Sequence, residues 1–244
     1  MFTLINIKYN KIDMKDKFNL LFIIGNEGTG HSLFHNCDLE PEPYKELHGL
    51  IKKYSNNKLL PKEREVFKEE IIELTKNNLG VVCKEWSSFP HGRPTNPMIS
   101  HDIYGLHKLF GDMEHVNVFY LVLTRIILYS TLSSKNRFDK DESIIYCARM
   151  QEMMLSYINS QVQLLPKDKY LIIELTNFQK NIKKFFKLIY ERCSMTIDCN
   201  YDNIIIADDS KYLKDCNYKY LVEYFDDNRL KQFKFLKDNI NFIF

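Results

Sequence analysis

The chain has 244 residues, enough for one substantial domain and too few for two comfortable ones. Its 34 basic and 32 acidic residues leave a net charge of +2, which calls for neither nucleic acid nor an anionic membrane as partner, so any anion site has to be local. A hydrophobic fraction of 45% supplies a large core, yet no run reaches the roughly 18 apolar residues of a membrane span.

Residues 1–17 are charged throughout, lack an apolar signal core and read as a loosely attached lead-in to a single domain over 1–244. No N-x-[ST] acceptor occurs either, and the expected location is cytoplasmic. The run Asn19–Ile24 (NLLFII) is apolar at every second position and at those between, and it ends at Gly25, the profile of a buried parallel strand. After Pro43, the residues Tyr44, Leu47, Ile51 and Tyr54 share a helical face; Val66, Phe67, Ile71 and Leu74 form a second stripe ending near Asn77–Gly80. A strand over Val81–Glu85 precedes an irregular Pro- and Ser-rich stretch, Ser87–Pro97.

His101–Met113 reads as a helix and Asn117–Leu123 (NVFYLVL) as the clearest strand. A helix is expected from near Ile126, and a long amphipathic one over Asp141–Leu165, burying Ile145, Ala148, Tyr157 and Ile158 and stopped by Pro166. Tyr170–Leu175 (YLIIEL) is a fourth strand. Thr176 with Gln179 then suggests a capping box for one helix carrying Phe178, Ile182, Phe185, Phe186 and Ile189. Beyond Cys193 the pattern loosens: Ile204–Ala207 is a short strand candidate, followed by one or two helices. This alternation predicts an α/β three-layer sandwich, a central parallel sheet flanked by helices, with ligands outside the carboxyl ends of the strands.

Six cysteines are scattered without C-x-x-C spacing, several in apolar runs where thiols act as small hydrophobes. For Cys193 and Cys199 two reduced thiols are favoured over a disulfide. His31, His35 and Cys37 lie close in sequence, but no fourth zinc ligand is indicated and no metal is expected.

The first strand end opens into Gly25-Asn26-Glu27-Gly28-Thr29-Gly30-His31-Ser32. A strand, a glycine turn and a helix start point backbone N–H groups at a phosphate, and glycines let the backbone approach it. The spacing fits G-x-x-x-x-G-K-[ST] except that His31 stands in place of the lysine, which argues against ATP chemistry while leaving phosphate binding intact. An anion site is favoured here over a bare glycine turn. The strand Asn117–Leu123 delivers Thr124 and Arg125, with Ser130, Ser133 and Ser134 on the helix that follows and Arg137 beyond. Arginine offers a planar fork for phosphate and serine a neutral donor. Alone, a surface arginine and helix-solvating serines would be the simpler reading.

Together the two elements resemble the sulfotransferases that use 3′-phosphoadenosine 5′-phosphosulfate (PAPS). Gly28-Thr29 within NEGTGHS is similar to the loop that holds the 5′-phosphosulfate in that family. Arg125 with Ser133, eight residues on, is similar to the pair that holds the 3′-phosphate. YLIIELTNF (Tyr170–Phe178) is similar to a third landmark, with Glu174 as its acidic residue. The resemblance spans roughly Asn19 to Tyr190, and the succession EGTGHS, SSFPHGRP and LTR with a later RF looks like a divergent member. It implies a P-loop-NTPase-like fold, PAPS as donor, and a nucleotide site of Asn26, Glu27, Gly28, Thr29, Gly30, His31, Ser32, Arg125 and Ser133. The partners implied are that nucleotide and a hydroxyl or amine acceptor, with no nucleic acid and no membrane.

The sequence departs from the family pattern in three places, one of them Lys84-Glu85-Trp86, where cytosolic members set a catalytic histidine shortly after a lysine at the end of the second strand. Where most members carry Lys or Arg just before Gly-Thr, this chain has Asn26-Glu27, so either His31 has taken that role or turnover is lost. The glycine- and basic-rich C-terminal 3′-phosphate segment is absent too. For the acceptor's proton, Glu85 at a strand end is the first candidate base and His91 the second; Lys84 and His31 are candidates to stabilise the transferring sulfate. Glu85 reads equally well as a carboxylate pairing Lys84 or Arg93, Trp86 as core or as a stacking surface, and Arg93 and Arg137 as ordinary surface cations. His101, His107 and His115 are expected on helix surfaces or in the core. Two other readings stay open: a nucleotide-binding protein of this fold without turnover, and a P-loop nucleotide kinase with an altered loop.

Overall fold

The computed structural model of the protein describes residues 17–26, 28–30, 43–54, 60–78, 80–87, 102–137, 140–193 and 208–240. The lead-in over 1–16, most of the Pro- and Ser-rich stretch, the strand expected at Ile204–Ala207, Cys199, and the trio His31, His35 and Cys37 lie outside these residues.

The strands are β1 (Phe18–Gly25), β2 (Gly80–Ser87), β3 (Val116–Thr124) and β4 (Tyr170–Glu174). All pairings are parallel, in the order β2-β1-β3-β4. The continuous apolar runs explain this arrangement, because a strand buried on both faces needs no polar alternation. Leu20, Phe22, Ile24, Tyr120, Val122 and Ile172 feed one core cluster, whereas Leu21, Ile23, Phe119, Leu121, Leu171 and Ile173 feed another on the opposite face. The expected layering is therefore present, with helices on both sides of a parallel sheet.

On the first face lie α1 (Pro43–Tyr54), α2 (Pro61–Asn77), α3 (Ile103–Gly111), α4 (Ile127–Arg137) and α5 (Ile144–Val162). The second face is covered by α6 (Leu175–Lys180) and α7 (Ile182–Cys193) through Phe178, Phe185, Phe186 and Ile189. The C-terminal part winds through a 3-10 turn at Asp209–Lys214, α8 (Tyr218–Tyr224), α9 (Asp227–Leu230), a second 3-10 turn at Lys231–Phe233, and α10 (Lys234–Asp238). It packs onto the first face through Tyr212, Leu221, Phe225, Phe233 and Leu236.

Several boundaries depart from expectation for local reasons. The helix expected from Thr176 begins at Leu175, because the Glu174 carboxylate accepts hydrogen bonds from the N–H groups of Thr176 (3.1 Å) and Asn177 (3.0 Å). It is also two helices, parted at Asn181, whose φ of −135° and ψ of 36° lie outside the helical region. The long helix starts at Ile144 rather than Asp141, since Ser143 Oγ accepts from the Tyr146 N–H at 3.1 Å, and within it Ile145 and Tyr157 are only half-buried. On α2, Val66 faces solvent and the buried positions are Ile71 and Thr75. Thr75 tolerates burial because its hydroxyl donates back to the Ile71 carbonyl (2.8 Å) and meets His115 Nε2 at 2.9 Å. The one or two helices expected at the C-terminus are several short segments instead.

The amino-terminal edge of the sheet is held by a polar ladder. Asn117 Nδ2 donates to Asn19 Oδ1 (3.2 Å) across the β1–β3 register, Lys169 Nζ donates to Asn117 Oδ1 (3.3 Å), and Asn19 Nδ2 donates to the Lys17 carbonyl (3.1 Å). This leaves the opposite, carboxyl edge as the open end, where Gly25 is level with Ser87 and Thr124 with Glu174.

Phe22 sits at the centre of the first core, stacked on Tyr120 at 5.5 Å and tilted against Phe110 at 6.0 Å. Truncating it leaves a void that a close-packed sheet core cannot fill. Phe22→Ala is expected to cost about 3–5 kcal/mol, read as a lowered urea midpoint.

His107 lies edge-on to Tyr120, with ring centroids 5.7 Å apart, and is held below its ordinary pKa by burial and then by Lys169. His115 is lowered likewise, by burial and then by Lys76 and Lys17. A base with a lowered folded pKa binds its proton first in the unfolded chain, so its stabilisation is present above the unfolded value and lost as pH falls through it. The denaturation midpoint should fall on acidification from about pH 7.5 to about 5.5, with a shallower fall in His107→Gln.

Candidate functional site

At the open edge β1 ends in a tight turn. The Thr29 N–H donates to the Asn26 carbonyl at 3.2 Å and the Thr29 hydroxyl to the same oxygen at 2.7 Å. Gly28 occupies the third position of this turn at φ +80°, the value a type II turn requires there, and Gly30 follows at φ +97°. Space is as limiting as conformation at position 28. A Cβ built there would lie 2.6 Å from the Ser130 carbonyl oxygen and 3.0 Å from Ser130 Cα, so the loop rests directly on the first turn of α4.

Asn26 fastens the loop from the other side. Its side chain is fully buried and Nδ2 donates to Gln151 Oε1 on α5, while Oδ1 has no partner among the described residues. Among the described loop residues, Gly28 is thus held against α4 and Asn26 against α5. That rigidity is what a backbone anion cradle requires.

Arg125, the residue after β3, closes the arrangement. Its side chain is 4% exposed. Nη1 donates to the Gly28 carbonyl at 2.6 Å, Nη2 pairs with the Asp209 carboxylate, and the guanidinium lies 5.4 Å from the centre of the Tyr212 ring. Nε is buried without a partner among the described residues. Tyr212 stacks on Tyr129 at 6.1 Å, and Tyr129 on Tyr218 at 6.4 Å. Burial first, and then the neighbouring Tyr218 hydroxyl, push the Tyr129 phenol pKa up. A planar cation between an aromatic face and a carbonyl, with one edge already holding a carboxylate, can take an anionic oxygen.

The other candidate residues fall as follows. Ser133 is buried on α4, two turns into the helix that Arg125 precedes. Ser130 and Thr131 donate to the Ile127 carbonyl at 3.0 and 2.7 Å, so their hydroxyls are turned into their own helix. Lys84 and Glu85 stand on β2, level with Phe22 and Ile23 of β1, near the carboxyl end of the strand. Glu174 caps α6. Arg137 is exposed at the far end of α4. Glu27, His31, Ser32, His91 and Arg93 lie outside the described residues. Sequence reasoning missed Gln151, Asp209 and Tyr212, whose roles depend on contacts across 125 residues for Asn26–Gln151 and 84 for Arg125–Asp209. No local spacing announces them.

A cavity of about 930 Å³ opens between α5 and the C-terminal segments. Glu152 organises it, accepting from the Tyr224 hydroxyl (2.7 Å) and from Arg229 Nη1 (3.1 Å). None of its described lining residues belongs to the glycine loop or to the Arg125 cluster, so size alone does not mark the site. Among the described residues no group of His, Cys, Asp and Glu side chains is arranged to hold a metal ion, and no helix is long and apolar enough to cross a membrane.

The architecture matches that of known sulfotransferases. The chain superposes on a sulfotransferase from Alicyclobacillus acidocaldarius with a TM-score of 0.54 and 12% identity, covering 91% of this chain and 96% of that one. It also aligns with the sulfotransferase domain of the Synechococcus PCC 7002 olefin synthase, at a TM-score of 0.48 and 14% identity over 87% and 86% of the two chains. No protein-family model matches the sequence, and no curated protein does. The likeness to the Alicyclobacillus acidocaldarius enzyme gives the chain the sulfotransferase fold, an α/β architecture with a parallel sheet between helices, as the resemblance in its sequence implied.

The doubly constrained Gly28 gives a direct test of the loop geometry. Gly28→Ala combines a disfavoured φ with a backbone clash, and the expected cost is about 1–3 kcal/mol of unfolding free energy in chemical denaturation. A neutral effect would mean the loop does not rest on Ser130.

Proposed function

We propose that the protein is a sulfotransferase that takes its sulfuryl group from PAPS and passes it to a hydroxyl or amine acceptor. The observation that carries this reading is the Arg125 guanidinium, which is joined at once to the glycine loop through the Gly28 carbonyl and to a carboxylate at its Nη2 edge. Asp209 there acts as a stand-in for an anionic oxygen, so the residues present suit a phosphate group. In this reading Gly28, Thr29, Gly30, His31 and Ser32, with Asn26 and Glu27, hold the 5′-phosphosulfate, and Arg125 with Ser133 holds the 3′-phosphate.

When bound, PAPS supplies an activated sulfuryl group. The chain's own residues orient it, exclude water and move one proton. Glu85 is the proposed base, accepting the acceptor's proton on its carboxylate, and His91 is the alternative. Lys84 and His31 stabilise the negative charge that develops on the transferred group and on the oxygen it leaves. A fixed loop favours this division of labour, because preorganised donors need no rearrangement as charge develops.

A second reading rests on the residues before Gly28. Asn26 is directed into the protein toward Gln151 rather than outward, and no loop lysine precedes Gly-Thr. Such a chain could bind the nucleotide without turning it over. Transfer of labelled sulfate from PAPS to a panel of phenols, sugars and amines separates the two readings.

The nucleotide assignment is tested by calorimetry with 3′-phosphoadenosine 5′-phosphate. Binding is expected for the parent chain, preferred over ATP·Mg²⁺. Arg125→Ala should weaken it by about 1.5–3 kcal/mol, roughly ten- to a hundredfold. Preference for ATP·Mg²⁺ would instead point to a kinase with an altered loop.

A further inference from the structure

We infer that Asp209 is an internal competitor for the phosphate that Arg125 binds, so that nucleotide entry requires the 3-10 turn Asp209–Lys214 to swing away. This deepens the nucleotide reading above and rests on it. Three observations carry it.

The first is occupancy. Arg125 has two Nη groups, one donating to the Gly28 carbonyl and the other paired with Asp209. Among the described residues only Nε is left without a partner, and a bidentate hold needs an Nη beside it; with the side chain 4% exposed, a phosphate gains that Nη2 edge by displacing the carboxylate.

The second is how lightly the turn is attached. Within Asp209–Lys214 only Tyr212 is buried, while Ser210, Lys211, Leu213 and Lys214 are exposed and Asp209 is half-buried. Among the described residues the turn is held by the Tyr212 ring and the Arg125–Asp209 ion pair, with Asn136 of α4 donating to the adjacent Asp215 at 3.4 Å. It is closed locally at its start by Asp208, which accepts from the Ser210 N–H at 2.9 Å, so it can move as a unit without losing its own cap.

The third is what remains after it moves. The Gly28 contact uses Nη1 and the Asp209 contact Nη2, so release of the carboxylate does not itself remove the donor on the loop side. A phosphate carries more charge and more acceptor oxygens than a carboxylate, which lets it win the exchange. Asp209 in the meantime pairs a buried cation that would otherwise stand alone at a real cost. The device thus keeps Arg125 neutralised in the empty protein and lowers the contribution of the 3′-phosphate to affinity.

The test compares 3′-phosphoadenosine 5′-phosphate with adenosine 5′-monophosphate, which lacks the 3′-phosphate, in the parent chain and in Asp209→Asn. The asparagine keeps a similar shape and an acceptor oxygen but removes the charge. The expected result is that the affinity ratio of the two nucleotides rises about tenfold in Asp209→Asn, with the monophosphate unchanged. Hydrogen exchange of the unmodified chain provides a readout without substitution: amides of residues 209–214 should lose protection on adding the bisphosphate and not on adding the monophosphate. A ratio that stays level or falls, with protection of 209–214 unchanged, would overturn the competitor role while leaving nucleotide binding standing. Failure of either nucleotide to bind the parent chain and the variant would overturn the nucleotide reading and this inference with it.

Discussion

A single buried cation ties the open edge of the sheet together. Arg125 follows the buried strand β3, and its guanidinium reaches the loop after β1 on one side and the C-terminal 3-10 turn on the other. A cation at this depth is costly unless each edge is matched, and here a carbonyl, a carboxylate and an aromatic face do the matching. Because these partners come from two stretches of chain, each distant in sequence from Arg125, satisfying the charge also fixes their mutual positions. The loop, the start of α4 and the C-terminal segment are therefore held in one arrangement by electrostatics layered on packing.

The packing has its own logic. β1, β3 and β4 each carry runs that are apolar on both faces, so each commits both faces to burial, and the helices have little choice but to cover the sheet on both sides. Polar groups are then confined to the strand ends. At the amino end Asn19, Asn117 and Lys169 are joined by hydrogen bonds to one another. The carboxyl end differs: Asn26 Oδ1 and Arg125 Nε are buried without partners among the described residues. Of the two, Arg125 Nε is a donor that an anionic oxygen would satisfy, whereas Asn26 Oδ1 is an acceptor and would need a donor.

The strands and the parallel sheet were legible because apolar runs such as NVFYLVL report burial directly, with no need to know their neighbours. The glycine loop was legible for a similar local reason, since positive φ demands glycine. Helix edges were harder, because a single side chain decides them: Glu174 starts α6 one residue before Thr176, and Asn181 splits what a stripe of Phe and Ile joins on paper. Val66 was assigned to the core by its hydropathy, yet Thr75 takes the buried place because its hydroxyl finds the Ile71 carbonyl and His115. Of the candidate site, Gly28 and Arg125 could be picked out by pattern. Asp209, Tyr212 and Gln151 could not, since their meaning comes only from long-range contact. The bases and donors suggested at Glu85, Lys84, His31 and His91 rest on position in the chain alone.

The contact between Gly28 and Ser130 also bears on how such a protein can change over generations. What a side chain at position 28 would strike is the peptide backbone of residue 130, not the serine hydroxyl. No replacement at position 130 can make room, because every amino acid brings the same carbonyl. The conflict therefore has no second-site remedy short of shifting the whole start of α4. This glycine thus sits outside the reach of epistatic repair.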